Sequence, residues 1–444
     1  MTNPIDLDLY TDSTAMRALL QAQLPGFAEG RLHIDALGVR SARRSTSLQR
    51  NPRPMTLCYE LQVSDAVRGR TGPQLLYAEV FREGGAATAF ARHDRTRFAP
   101  PAFGEPLVHL PGLNLLLWAL PNDPGLPQLA HLLDPSAAAR WLACDASAEL
   151  RVELLRYEPR QRATLRYTLA GGDGGAARTV YAKTFCDDRA AAIDARFGHF
   201  WRLALIDPGA PLVAQPLGFD AATRTVWQAA AVGVPLREAL GLHGGVVLPA
   251  QEAEVLLQNV AHAWARLHAA PLTPTASAVP RTVAHWLAEV QRRGRKIGRA
   301  DARLAARAER VVEIIAAHAE RQALRPLSLI HGDCHPDQVW VQGGRVLLFD
   351  FDEFTLGDPM QDLASFTLKL EQDGAPPALV TAFIAHWESA APQRFDRDSL
   401  AWHLVIQSLL QASRTFVYQR PGWTHTLERR LAASEARTAA LLNP

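Results

Sequence analysis

The chain has 444 residues, 48% of them hydrophobic and 21% charged, with a formal net charge of +2. That balance describes a globular protein with room for roughly two or three domains and excludes wholesale disorder. Its 47 basic and 45 acidic residues are well mixed, so no basic stripe marks it for nucleic acid or an anionic membrane. Apolar runs such as residues 113–120 are far shorter than the about 20 residues of a spanning helix. The N-terminus lacks a basic-then-apolar signal. Cys58, Cys144, Cys186 and Cys334 stand singly, outside any zinc or disulfide spacing. A cytoplasmic protein with reduced thiols is expected.

In chain order, two early segments read alike. Residues 47–63 end in an alternating apolar run, and after a polar turn comes 'LLYAEVF' (75–81). Residues 153–169 repeat the arrangement, followed by the glycine cluster at 171–175 and 'TVYAKTF' (179–185). In both, an Arg, a Pro and a second Arg precede a strand ending in Tyr, and a Tyr-Ala pair opens the next strand. Period-2 alternation with β-branched and aromatic residues predicts strands, and the glycine cluster predicts a hairpin turn. We read residues 32–92 as a copy of a β-meander, with Glu79 where the later segment has Lys183; a chance likeness of two amphipathic hairpins is the alternative.

From about Leu236 the apolar spacing turns helical. Helices are predicted over residues 253–270, stopping before Pro271, over 300–324, ended by Pro326, and over 398–418. Between the last two, 'LIHGDCHPDQVWV' (329–341) and 'FDFDEF' (349–354) concentrate acids. Gly343-Gly344 predicts a two-residue hairpin that brings Gln338 beside Asp350. A carboxylate and an amide oxygen side by side suit a hard cation such as Mg²⁺, which keeps waters and phosphate oxygens as its other ligands. Asp333 would face the same space as a proton acceptor, and such a set is the minimum for phosphoryl transfer from ATP. His331 and His335 raise a zinc hydrolase as a second reading, but the Gly, Cys and Pro between them fit a loop rather than a helix face.

The motifs 'HGDCHPDQ', 'LLFDFDE' and 'GDPMQDLA', with 'ARLHAAPL' ahead of them, resemble the aminoglycoside phosphotransferase family, from about Glu149 onward. The resemblance implies an α+β, protein-kinase-like two-lobed fold: a cap domain at 1–145, a β-rich nucleotide lobe at 146–235 and a mostly helical lobe at 236–444. It implies Asp333 as catalytic base, Gln338 and Asp350 as metal ligands, and Lys183 as the lysine on the ATP phosphates. Backbone groups at Gln228 to Ala230 would bind adenine, and Asp362 would tie down the catalytic loop. The expected cofactors are ATP and Mg²⁺, and the expected partner is a small hydroxylated molecule. Most of the family has Asn where Gln338 stands; Gln there, with an extra N-terminal domain, is similar to the maltokinase branch. Two other departures stand out. Asp194 is the best-spaced acid for Lys183, where the family has a Glu, and 'EPRQR' (158–162) has no glycine, leaving Arg160 and Arg162 as the candidate phosphate charges. A nucleotide-binding scaffold without turnover is the alternative that these departures suggest.

Overall fold

The computed structural model describes residues 8–44, 55–82, 84–145, 149–171, 177–207, 209–242, 248–270, 279–322, 325–418 and 422–442. They form two compact units, one of the residues up to Asp188 with 222–225 and 416–422, the other of the rest.

The first unit opens with the helix Ser13–Gln23, whose first amides at Thr14 and Ala15 donate to the Asp12 carboxylate. Its apolar side, Met16 and Leu20, joins Leu57, Tyr59, Val80 and Leu115 in one core. That core lines an antiparallel sheet in the order Leu32–Arg44, Met55–Asp65, Arg70–Val80, Leu115–Ala119, Leu107–Leu110. A second antiparallel meander follows: Leu150–Glu158, Arg162–Leu169, Arg178–Phe185. The two share a register. Leu57 faces Ala78 and Thr56 faces Glu79 in the first; Leu165 faces Ala182 and Thr164 faces Lys183 in the second. The predicted strands are present; residues 47–54 and the glycine cluster from 172 onward lie outside the described residues.

The second unit carries the helix Arg189–Ile206, a small sheet and the helices that follow. The sheet orders Val234–Pro235, Val339–Gln342, Arg345–Leu348 and Leu212–Val213. Gly343 and Gly344, at φ 54° and 79°, make the turn of its central hairpin, as a left-handed two-residue turn requires. The helix Arg397–Tyr418 packs Trp402 and Leu409 against Trp286 and Ile297 of Val283–Ala300 and Ile315 of Ala305–Ala317.

One predicted helix is corrected. Residues 300–324 hold the end of Val283–Ala300, a 3-10 turn at Ala302–Leu304 capped by Asp301, and the helices Ala305–Ala317 and Ala319–Gln322. At the later break His318 Nδ1 contacts the Ile314 carbonyl at 2.8 Å, the acceptor that its own backbone N–H would use in a continuous helix. Among the described residues no helix is long and apolar enough to cross a membrane.

Candidate active site

The acidic loop is fixed from below. After the strand Ser328–Ile330, the amides of His331 and Gly332 donate to the two carboxylate oxygens of Asp362, at 2.6 and 3.0 Å. Asp362 lies in the first turn of the helix Pro359–Gln372 and touches His268 Nε2 at 3.1 Å, both side chains only 1% exposed. Burial opposes its ionisation, yet the bonds from His268 and His331 hold its carboxyl below the usual range. The His331 ring reaches the Phe349 carbonyl at 2.6 Å, so this histidine is a spacer between loop and hairpin. Gly332 has φ 81°, and a Cβ there would stand 2.3 Å from the Glu353 carbonyl oxygen. Only glycine lets the loop come that close to the turn after Asp350.

On this base sit Asp333, Gln338 and Asp350. Asp333 is half-buried, 3.7 Å from His335 Nε2, and His335 Nδ1 is 3.4 Å from Asp337. Burial works against both charges, but each supports the other: Asp333 stays below the carboxylate range, and His335 is raised to about 9 by Asp333 and Asp337. Asp333 is therefore a carboxylate near neutral pH, able to take a proton. Gln338 ends a 3-10 turn, and its carbonyl accepts from Phe349 N at 3.0 Å, which zips the hairpin toward Asp350. Its side-chain amide lies 3.4 Å from Asp350 Oδ2 and 3.4 Å from His335 Nε2. As placed the NH₂ faces the carboxylate; a half-turn of the amide puts Oε1 there instead. Asp350 itself has φ 59°, a left-handed conformation that costs energy away from glycine and gathers at functional sites. The predicted neighbours are thus brought together.

The donor set discriminates among metals. Among the described residues no group of three or more His, Cys, Asp or Glu side chains is placed to hold an ion. One carboxylate and one amide oxygen are hard donors and fit Mg²⁺, which needs few protein ligands.

The expected nucleotide residues fall as follows. Lys183 lies on the strand Arg178–Phe185, half-buried, with Nζ 5.7 Å from the Phe185 ring centre. Asp194 is on the helix Arg189–Ile206, where burial pushes its carboxyl up. Gln228 belongs to the strand Thr225–Ala229, and Ala230 follows it, exposed. The two arginines proposed as phosphate charges are engaged elsewhere: Arg162 pairs with Glu158 at 2.9 Å and Arg160 with Glu79 at 3.2 Å.

Five contributors escaped the sequence reading. His268 lies inside the quoted 'ARLHAAPL', but only the fold reveals its contact with Asp362. Arg196, buried on the helix after Lys183, reaches the Phe351 carbonyl at 3.4 Å. Phe197 and Phe200 of that helix pack on Phe351 with ring centres 5.2 Å apart. Arg281 donates to the Gly332 carbonyl at 2.6 Å and to Glu353 at 2.7 Å, bridging the loop to the turn beyond Asp350.

A clamped acidic loop, a hairpin pairing amide with carboxylate, a lysine-bearing meander and a helical remainder make up the α+β, protein-kinase-like architecture of small-molecule phosphotransferases. The profile of the phosphotransferase enzyme family (APH) matches residues 174–403, just over half of the 444, and the chain belongs to that family. Among solved structures it is similar to a Ralstonia eutropha JMP134 protein that carries the provisional name of aminoglycoside phosphotransferase. That pair is 13% identical over 69% of this chain and 96% of the other, with a TM-score of 0.50. It is also similar to the GDP complex of a mutant aminoglycoside 2′-phosphotransferase-IIIa, at 16% identity, 70% and 97% coverage and a TM-score of 0.48. Choline kinase from Cryptosporidium parvum Iowa II gives 11%, 69%, 95% and 0.48. At these identities the likeness is one of fold. No curated protein matches the chain.

Proposed function

We propose that the protein is an ATP-dependent kinase that moves the γ-phosphate to a hydroxyl of a sugar, oligosaccharide or aminoglycoside-like acceptor in the cytoplasm, in the manner of the maltokinase branch. In this reading residues 1–145 are a cap domain that copies the nucleotide-lobe meander, 146–235 the nucleotide lobe and 236–444 the helical lobe. The observation that carries it is the Gln338 amide 3.4 Å from the Asp350 carboxylate, on a hairpin adjoining the loop that presents an ionised Asp333.

Asp333 orients the acceptor hydroxyl and takes its proton as the oxygen attacks. Lys183 donates to the nucleotide phosphates. Backbone groups at Gln228 and Ala230 hold the adenine edge. Gln338 and Asp350 would hold Mg²⁺, which when bound neutralises charge on the phosphate oxygens. The remaining charges brace the loop: Asp362 through its amides, Arg281 through Gly332.

The test is nucleoside diphosphate release with ATP or GTP, Mg²⁺ and a panel of sugars, oligosaccharides and aminoglycosides. Wild type is compared with Asp333→Asn, Asp350→Asn and Gln338→Leu. Acceptor-dependent release that is lost in Asp333→Asn, with a Mg²⁺ dependence altered in the other two, is the expected result. One specific observation favours the alternative of a nucleotide-binding scaffold: the Arg160 and Gln161 amides already donate to Asp123 and the Glu158 carbonyl, so this turn cannot wrap phosphates as a glycine-rich loop does. Release no greater than that of Asp333→Asn for every acceptor would decide for the scaffold.

A further inference from the structure

The turn Pro159–Gln161, which joins the first two strands of the later meander, is held by carboxylates of the earlier residues. The Arg160 amide donates to Asp123 Oδ2 at 2.8 Å, and Tyr157 OH donates to the same oxygen at 2.8 Å. The other oxygen, Oδ1, takes the Gly125 amide at 2.7 Å. Arg160 sits at φ 61°, and its guanidinium lies 3.2 Å from Glu79, which also accepts from Tyr77 OH at 2.8 Å and Trp118 Nε1 at 3.1 Å. Glu79 and Asp123 are 1% and 3% exposed. Gly125 packs so tightly on the turn that a Cβ would stand 2.4 Å from Arg160 Cα.

The same stretch grips the strand that carries Lys183. Gln128 Nε2 donates to Thr184 Oγ1 at 2.7 Å and to the Phe185 carbonyl at 3.0 Å. Its oxygen accepts from Arg224, which also bonds the Cys186 carbonyl at 2.6 Å. The turn and the Lys183 strand end are tied together by Cys186 N to the Gln161 carbonyl, 2.9 Å. Every bond named here would hold equally well without a ligand, so their joint effect is to fix backbone. A non-glycine residue in the left-handed region persists only where its surroundings over-determine it, as three anchors do here.

We infer that Glu79, Asp123 and Gln128 are positioning residues for nucleotide, setting in advance the two backbone segments, the 159–161 turn and the Lys183 strand end, that border the phosphates. This inference rests on the nucleotide reading of Lys183. In place of a flexible glycine loop that orders around its ligand, the chain has a stiff turn whose ordering is completed during folding. Affinity then benefits because binding does not have to immobilise the turn.

The experiment measures the dissociation constant of a fluorescent ATP analogue, and separately kcat and the KM values for ATP and acceptor. It uses the full chain as wild type, Glu79→Gln, Asp123→Asn and Gln128→Ala, with thermal melts to verify folding. The carboxylate variants each remove one or two hydrogen bonds and Gln128→Ala removes three, so nucleotide Kd and KM should rise roughly 3–10-fold. Acceptor KM should stay unchanged and kcat within about 3-fold of wild type, a split that general loss of folded protein does not produce. Gln128→Ala strands no buried charge and keeps the question decidable if Glu79→Gln melts below the assay temperature. Glutamine-to-glutamate exchange, Gln128→Glu, should weaken binding like Gln128→Ala, because it lacks the donor. Wild-type nucleotide affinity in folded Asp123→Asn and Gln128→Ala, in a protein that transfers phosphate, overturns this inference alone. A wild type that binds no nucleotide overturns it together with the proposed function.

Discussion

The two meanders of the first unit make the same cross-strand pairs and place opposite charges at the corresponding position. Glu79 and Lys183 each face a threonine, each follow a fully buried alanine and each stand two residues before a phenylalanine. Their surroundings differ. Glu79 is sealed among Tyr77, Trp118 and Arg160, all presenting donors, whereas Lys183 is half-buried over a phenyl ring. A backbone position therefore supplies a direction, and the neighbours decide its use. In the earlier meander the charge is used inside the fold; in the later one we propose that it serves a ligand.

The scale for this contrast is set outside both meanders, by Asp333→Asn. Its kcat should fall by about 10²–10⁴-fold with nucleotide affinity retained; unchanged kcat would remove Asp333 from the chemistry. Next in size, Lys183→Met should lower kcat/KM by roughly 10–100-fold, the worth of a charge-assisted bond, with an unaltered melting temperature. If Lys183→Met melts early and keeps its kcat/KM, the two positions have been read the wrong way round. Glu79→Gln should show the mirror image in stability, losing about 3 kcal/mol of unfolding free energy because Arg160 is left without its buried partner. That value is at the low end for such pairs, since Arg160 is 33% exposed and can rehydrate. Adding Arg160→Gln should cost less than the sum of the single changes, which denaturant titration of the double-mutant cycle would detect. The smallest expectation is a null one: calorimetry should count one nucleotide per chain, because the earlier meander offers phosphates a carboxylate.

What the sequence disclosed follows the range of the interactions. The Val339–Gln342/Arg345–Leu348 hairpin and the approach of Gln338 to Asp350 were legible because turn chemistry and strand alternation act over a dozen residues. The repeated Tyr-Ala pair marks the shared register. Contacts between distant segments left no local trace. His268 meets Asp362 across 94 residues and Arg160 meets Glu79 across 81, and each looked like an ordinary polar residue on its own element. Arg160 is a case in point: the glycine-free turn offers it as either a phosphate charge or a solvated surface arginine, and in the fold it pairs with the buried Glu79. The helix expected through residue 318 failed for the opposite reason. A single histidine ring competes with the backbone for one carbonyl, and amphipathic spacing cannot register that.

The Glu79–Arg160 pair also has a temporal side. The partners are 81 residues apart, and at about 5–20 residues per second a ribosome delivers the second roughly 4–16 s after the first. Trp118, 39 residues on, reaches Glu79 sooner, and Tyr77 is beside it on the same strand. The N-terminal sheet thus has all five strands before its buried carboxylate meets a cation. Asp123 and Gln128 are likewise synthesised ahead of the turn and the strand end that they secure. The nascent chain meets a ready-made mould, with Arg160 as the latch that closes it.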